Sequence, residues 1–151
     1  MAKLTTDLFV LCDLATVSQE QKLSIIGIFD QFFIANLPTN WPKMYLVAVV
    51  RGEANQEYPL TLKLIPPASP SIGGPQKTEN SFPDKEFKIK LGTNGKANVM
   101  TELVNFPLSA VGVHKVQIYN GKVLVSELEF RVNKTTATYG GQDLAGKKVS
   151  N

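Results

Sequence analysis

The sequence holds one cysteine, Cys12, and one histidine, His114, so any Cys–His nucleophile pair must be built from these two. Such a pair needs a thiolate beside a base that a third group orients. Asp13 is the acid next to Cys12, but on a strand it points to the opposite side. Both Cys12 and His114 sit among apolar neighbours of their own parity. That pattern predicts a small buried thiol and an imidazole filling an aromatic slot. Zinc needs three or four Cys, His or acidic ligands, and one of each at distant positions does not supply them. Calcium wants clustered loop carboxylates, whereas the acids here are scattered singly, apart from Glu127 and Glu129 on one strand face. Gly73-Gly74 and Gly140-Gly141 lack the Lys-Ser/Thr and the helix of a phosphate cradle. Asn133-Lys134-Thr135 matches a glycosylation acceptor, which matters only on a secretory route. The expectation is a chain that is not an enzyme and carries no cofactor and no metal.

Binding chemistry is the next class. Phe29, Phe32, Phe33, Trp41 and Tyr45 fall in the first third of the chain. Exposed together they would make a stacking platform for a sugar or a base, with the single Trp41 at its centre. More often such residues fill the core of a sandwich, which is the reading favoured for them, with Trp41 packed beside the proline turn. The formal charge of +3 invites a nucleic-acid reading. From Asn133 onward, however, Lys134, Lys147 and Lys148 face only Asp143, so the tail holds +2 of it. In the remainder lysines alternate with acids, and Arg51 and Arg131 are the only arginines. A phosphate surface wants Arg and Lys clustered on one face. No nucleic-acid partner is expected.

Period-two alternation sets the elements that must position these residues. Strands are predicted over Asp7–Ala15, Lys22–Phe29, Met44–Arg51, Tyr58–Ile65, Glu86–Leu91 and Ala97–Val104, with Gln31–Leu37 a bent continuation after Asp30. Val111–Val132 reads as a hairpin turning at Asn120-Gly121, around which the rest is organised. Pro38–Pro42 reads as a turn, and Phe106–Ala110 as a link. No period of 3.6 persists for three turns. The prediction is an all-β fold, an antiparallel β-sandwich of seven to nine strands, immunoglobulin-like or C2-like, with a jelly roll also compatible. One domain over 1–133 carries a long Pro/Gly loop at 66–85, to which Phe82 is a candidate tether, and 134–151 reads as a flexible polar tail.

The segment KLSIIGIFDQFFIANLPTNWPKMYLVAVV, with Cys12-Asp13-Leu14-Ala15 before it and the Gly112-x-His114-x-Val116 hairpin after it, resembles a bacterial family of small domains of unknown function. The resemblance covers about Asp7 to Val132. It implies a β-sandwich and supplies no catalytic residues.

Lys22–Phe29 and Met44–Val50 are apolar on both faces, which predicts central strands covered on both sides. A two-layer sandwich hides one face of each sheet, so a third layer is expected from the long loop, the tail or another chain. The functional expectation is therefore a non-catalytic interaction or assembly module, homo-oligomeric or docked on a protein partner through Tyr45, Val47 and Val49. The alternative is a small-ligand or carbohydrate module using Trp41. Without a signal peptide or spanning segment, the expected place is the cytoplasm or a particle assembled there, away from the membrane.

Overall fold

The apolar alternation resolves into nine strands: β1 (Thr5–Val17), β2 (Leu23–Phe29), β3 (Gln31–Ile34), β4 (Thr39–Arg51), β5 (Glu57–Ile65), β6 (Lys85–Lys90), β7 (Lys96–Leu108), β8 (Gly112–Asn120) and β9 (Val123–Lys134). The computed structural model describes residues 3–67 and 82–135, and all regular structure among them is β. Most of the predicted 66–85 loop and nearly all of the 134–151 tail lie outside the described residues.

One sheet runs β2-β1-β4-β7 and the other β3-β9-β8-β5-β6. The chain changes sheet at β2–β3, β3–β4, β4–β5, β6–β7 and β7–β8, crossings of the kind an immunoglobulin-like sandwich makes. All pairs are antiparallel except β3 with β9, which run parallel from the Gln31–Arg131 pair to the Ile34–Lys134 pair. Asp30, where the apolar run breaks, is the point at which the chain passes from β2 to β3 and so from one sheet to the other.

Between the sheets lies an aromatic centre. Phe32 meets Phe130 at 5.4 Å and Trp41 at 4.9 Å between ring centroids, both edge-on. Phe106 lies 6.0 Å from Phe130. Leu11, Met44, Leu46, Leu60, Leu108 and Ile118 close the centre in aliphatic side chains. Phe82 packs on Phe106 at 5.2 Å, so it does tie the end of the long loop to the body.

Several boundaries differ from the predicted ones for identifiable reasons. The turn before β4 falls at residues 35–38, and Thr39 to Arg51 is one strand; Trp41 pairs with Phe106 and the ladder skips Pro42, which has no N–H to give. Phe106-Pro107-Leu108 is thus the end of β7 rather than a link. In the organising hairpin Asn120 pairs with Val123, so the turn residues are Gly121-Lys122. Gly121 has φ 62°, as the first central position of a II′ turn requires.

The largest departure concerns β2. Predicted as a central strand, it is the edge of its sheet. Its partner β1 runs antiparallel to β4 from the Thr5–Arg51 pair to the Cys12–Tyr45 pair. A straight continuation would carry Val17 away from Val49, yet Val17 and Gln21 border one cleft with Val49, Ala97 and Asn98. The distal half of the β1–β2 hairpin therefore folds back over the outer face of its own sheet. Beneath it Cys12, Ala15 and Val47 are fully buried, with Leu8, Val10, Leu23, Ile25 and Tyr45 around them. Over this part of the β4 face, the third layer is supplied by the hairpin itself. Fully covering a Val47-sized side chain is worth about 1.5–3 kcal/mol.

The bend sits at the Asp13–Gly27 position of the ribbon. Gly27 has φ 73°, and a Cβ built on it would collide with the Asp13 carboxylate. The left-handed angle strains any side chain there, and the exposed Asp13 carboxylate would have to swing aside for it.

Candidate functional site

Cys12 and His114 are kept apart by the fold. Cys12 lies in the second core, on the outer side of β1, while His114 stands on β8 in the other sheet and is buried against the main core. Burial pushes the Cys12 thiol above its ordinary range, with the neighbouring Asp13 charge adding to the effect and a hydrogen bond involving the Leu14 backbone opposing it. His114 stacks on Phe130 at 4.9 Å with the rings 12° apart. Its Nδ1 lies 3.2 Å from the Gly112 carbonyl, which can only accept, so Nδ1 carries the proton and donates. Nε2 has no partner among the described residues, and burial holds the imidazole below its usual pKa, the Gly112 bond opposing. The expected buried thiol and stacked imidazole are what the structure contains. Among the described residues no group of His, Cys, Asp and Glu has the spacing to hold a metal ion.

Trp41 is half-buried in the aromatic centre, 6.5 Å from Phe29 and 4.9 Å from Phe32, rather than set out as a platform. Tyr45, Val47 and Val49 do share the outer face of β4, opposite Cys12, Val10 and Leu8. Val47, however, is 0% exposed under the hairpin, and Tyr45 and Val49 are half-buried. The Tyr45 hydroxyl donates to Glu102 at 3.0 Å. As the molecule stands, this trio does not form an open contact patch.

Open apolar surface does lie on the hairpin itself, as it does at Phe33, 64% exposed on β3 of the other sheet. Ile26 and Ile28 of β2 are 60% and 59% exposed, and Leu14 of β1 is 41% exposed. Leu14 and Ile26 are direct cross-strand partners, as are Cys12 and Ile28. The signal was in the sequence, in the two-faced run SIIGIF. Its meaning was missed because apolar faces on both sides predict burial, whereas here part of the run covers β4 and part faces water. Below Ile28 a cleft of about 340 Å³ opens between Phe9, Val10, Leu11, Phe29 and Leu128, with Asp30 and Glu129 at its rim.

The outer face of the second sheet carries ion pairs beside the exposed Phe33 and Ile65. Lys115 pairs with Glu127 at 3.6 Å, Lys63 with Asp84 at 3.5 Å, and the Tyr119 hydroxyl donates to Gln117 at 3.0 Å. At the open end of the first sheet a β-bulge between Thr6 and Leu8 aims Asp7 outward. There Arg51 grips the carboxylate with Nε at 3.0 Å and Nη2 at 2.8 Å, and Lys96 Nζ stands 3.2 Å away. The bonds from Arg51 and then Lys96 hold the Asp7 carboxyl below its ordinary pKa.

With this geometry in view, a family model covers residues 7–133 of the chain. The chain belongs to DUF6941, a family of unknown function. The span agrees with the Asp7–Val132 extent of the resemblance read from the sequence. No curated protein matches this DUF6941 chain in sequence. Among solved structures, a GH3 β-glucosidase of Bifidobacterium adolescentis is similar at 9% identity and a TM-score of 0.49, over 87% of this chain and 17% of that one. An alkylpurine DNA glycosylase of Pseudomonas fluorescens gives 11% identity and 0.49, over 87% and 31%. An immunoglobulin-like protein of Pseudomonas aeruginosa gives 18% identity and 0.42, over 87% and 98%. The chain thus spans under a third of the two enzymes, and it inherits no activity from likenesses of this grade. Among the described residues no helix is long and apolar enough to cross a membrane.

Proposed function

We propose that this DUF6941 chain is a non-catalytic interaction module that works by protein–protein contact, with a second copy of itself as partner. The observation that carries the reading is the exposed Ile26 and Ile28 on the unguarded edge strand β2, with Leu14 beside Ile26 on β1. Natural sheets protect their edges with charge, proline or short strands. The β6 edge follows that rule, reading KEFKIK. The β2 edge reads LSIIGIF, without a charged residue or a proline. Its backbone is unpaired on the outer side among the described residues. Two such edges meeting about a two-fold axis would satisfy those backbone groups and cover the isoleucines of both copies.

Light scattering on the full chain, beside an Ile26→Lys/Ile28→Lys double variant, tests this reading. A dimer mass for the native chain that falls to monomer in the variant supports it. A native chain that stays monomeric up to high micromolar concentration would sink it.

A further inference from the structure

The molecule has two cores of unequal kind, and the smaller one is closed by a single element. Cys12, Ala15 and Val47 form the buried part of the second core, separated from the aromatic centre by the sheet itself. Its cover is the hairpin distal to the Asp13–Gly27 position, running from Leu14 to Ile26. That cover bends at one place, where Gly27 takes φ 73° against the Asp13 side chain. At its far end it stands off the sheet: a cleft of about 500 Å³ separates Val17 and Gln21 from Val49, Ala97 and Asn98. The tip is held by backbone bonds within itself, Ser18 N–H to the Lys22 carbonyl at 2.9 Å and Gln21 N–H to the Ser18 carbonyl at 2.9 Å. The one ion pair found at the tip, Lys22 with Glu20 at 3.1 Å, also stays inside the hairpin.

An element with its own internal bonds, one bend and a small apolar contact is a unit that can move without disturbing its neighbours. We infer that the distal β1–β2 hairpin is a hinged strap, which lifts as a body about Asp13 and Gly27 and uncovers the apolar strip Val10, Cys12, Val47 on the outer face of the sheet while the sandwich stays folded. The lifted state presents the face that the sequence marks as apolar on β4. Leu14 and Ile26 of the proposed contact lie on the strap, so the opening is followed at a chain concentration where light scattering reads a monomer.

The chain carries its own two reporters. Its single cysteine lies in the second core and its single tryptophan packs against the main one. The experiment follows Cys12 reaction with an aromatic disulfide and Trp41 fluorescence on the same full-length sample, across urea concentrations below the global transition. An independent strap gives Cys12 labelling that is nearly insensitive to urea and far faster than global unfolding allows, with Trp41 emission native throughout. Gly27→Ala, which strains the closed bend, should speed labelling about tenfold at unchanged Trp41 emission. Ile25→Asp, which puts a charge beneath the cover, should expose Cys12 fully and leave Trp41 native. Labelling that shares the midpoint and urea slope of the Trp41 transition would overturn the inference, and so would loss of the Trp41 signal in Ile25→Asp.

Discussion

Two glycines with left-handed backbones differ in what surrounds them, and this separates strain from collision. Gly121 has φ 62° in an open turn, with nothing within 4 Å of an added Cβ. Gly121→Ala therefore meets only the left-handed penalty, about 1–2 kcal/mol. Gly27→Ala meets that penalty and the Asp13 carboxylate as well, so urea denaturation should show the larger loss there. His114 gives a second test at this scale. Its pKa in the fold lies below the ordinary 6.5 because burial disfavours the cation. Below pH 6.5 the unfolded chain takes up a proton that the folded chain refuses, so stability is complete above that pH and falls as pH drops through it. The loss approaches 1.4 kcal/mol per pH unit until the folded value is reached. His114→Phe should abolish this dependence between pH 5 and 6.5, whatever it does to stability at neutral pH, as measured by urea midpoints at each pH.

Among the elements, β4 and β2 look alike in sequence and behave differently, and that contrast explains what could be read in advance. MYLVAVV and LSIIGIF both lack alternation, which says that neither face is reserved for water. It does not say what covers them. For β4 the cover is a core on one side and the folded-back hairpin on the other; for β2 it is partial. The positions of most strands were legible because a half-buried strand alternates with period two. The bend was not, because it depends on one glycine angle and a non-local contact between Ala15 and Val47. The contact trio Tyr45, Val47 and Val49 followed from the same gap: its side chains share a face, as expected, but the structure covers that face. Val47→Lys should therefore act on stability before it acts on association. A lysine with no room and no partner at a fully buried site costs about 3–5 kcal/mol. Ile28→Lys, at a mostly exposed site, should stay within about 0.5 kcal/mol of native by the same urea assay.

At the scale of the molecule, both sheets carry ion pairs and exposed apolar side chains, Phe33 of the five-stranded sheet at 64% among them, so chemistry rather than position separates the candidate contacts. The five-stranded sheet shows water a lattice of Lys63, Asp84, Lys115 and Glu127, pairs exposed enough to add little to stability. The four-stranded sheet shows Leu14, Ile26 and Ile28, with Met100 and Val104 exposed on β7. Salt distinguishes the two kinds of contact. Ion-paired contact weakens as the Debye length shortens from about 10 Å at 0.1 M to about 3 Å at 1 M. Apolar contact does not weaken, and sulfate strengthens it. The proposed self-association should then hold its mass, or gain, on going from 0.1 M to about 1 M salt, more so in ammonium sulfate than in sodium chloride. Light scattering across that series reads the outcome directly. Dissociation with rising sodium chloride would move the contact from the isoleucines to paired charge, where charge-removing variants such as Lys115→Ala and Glu127→Ala, or Arg51→Ala on the other sheet, would be the substitutions that abolish it.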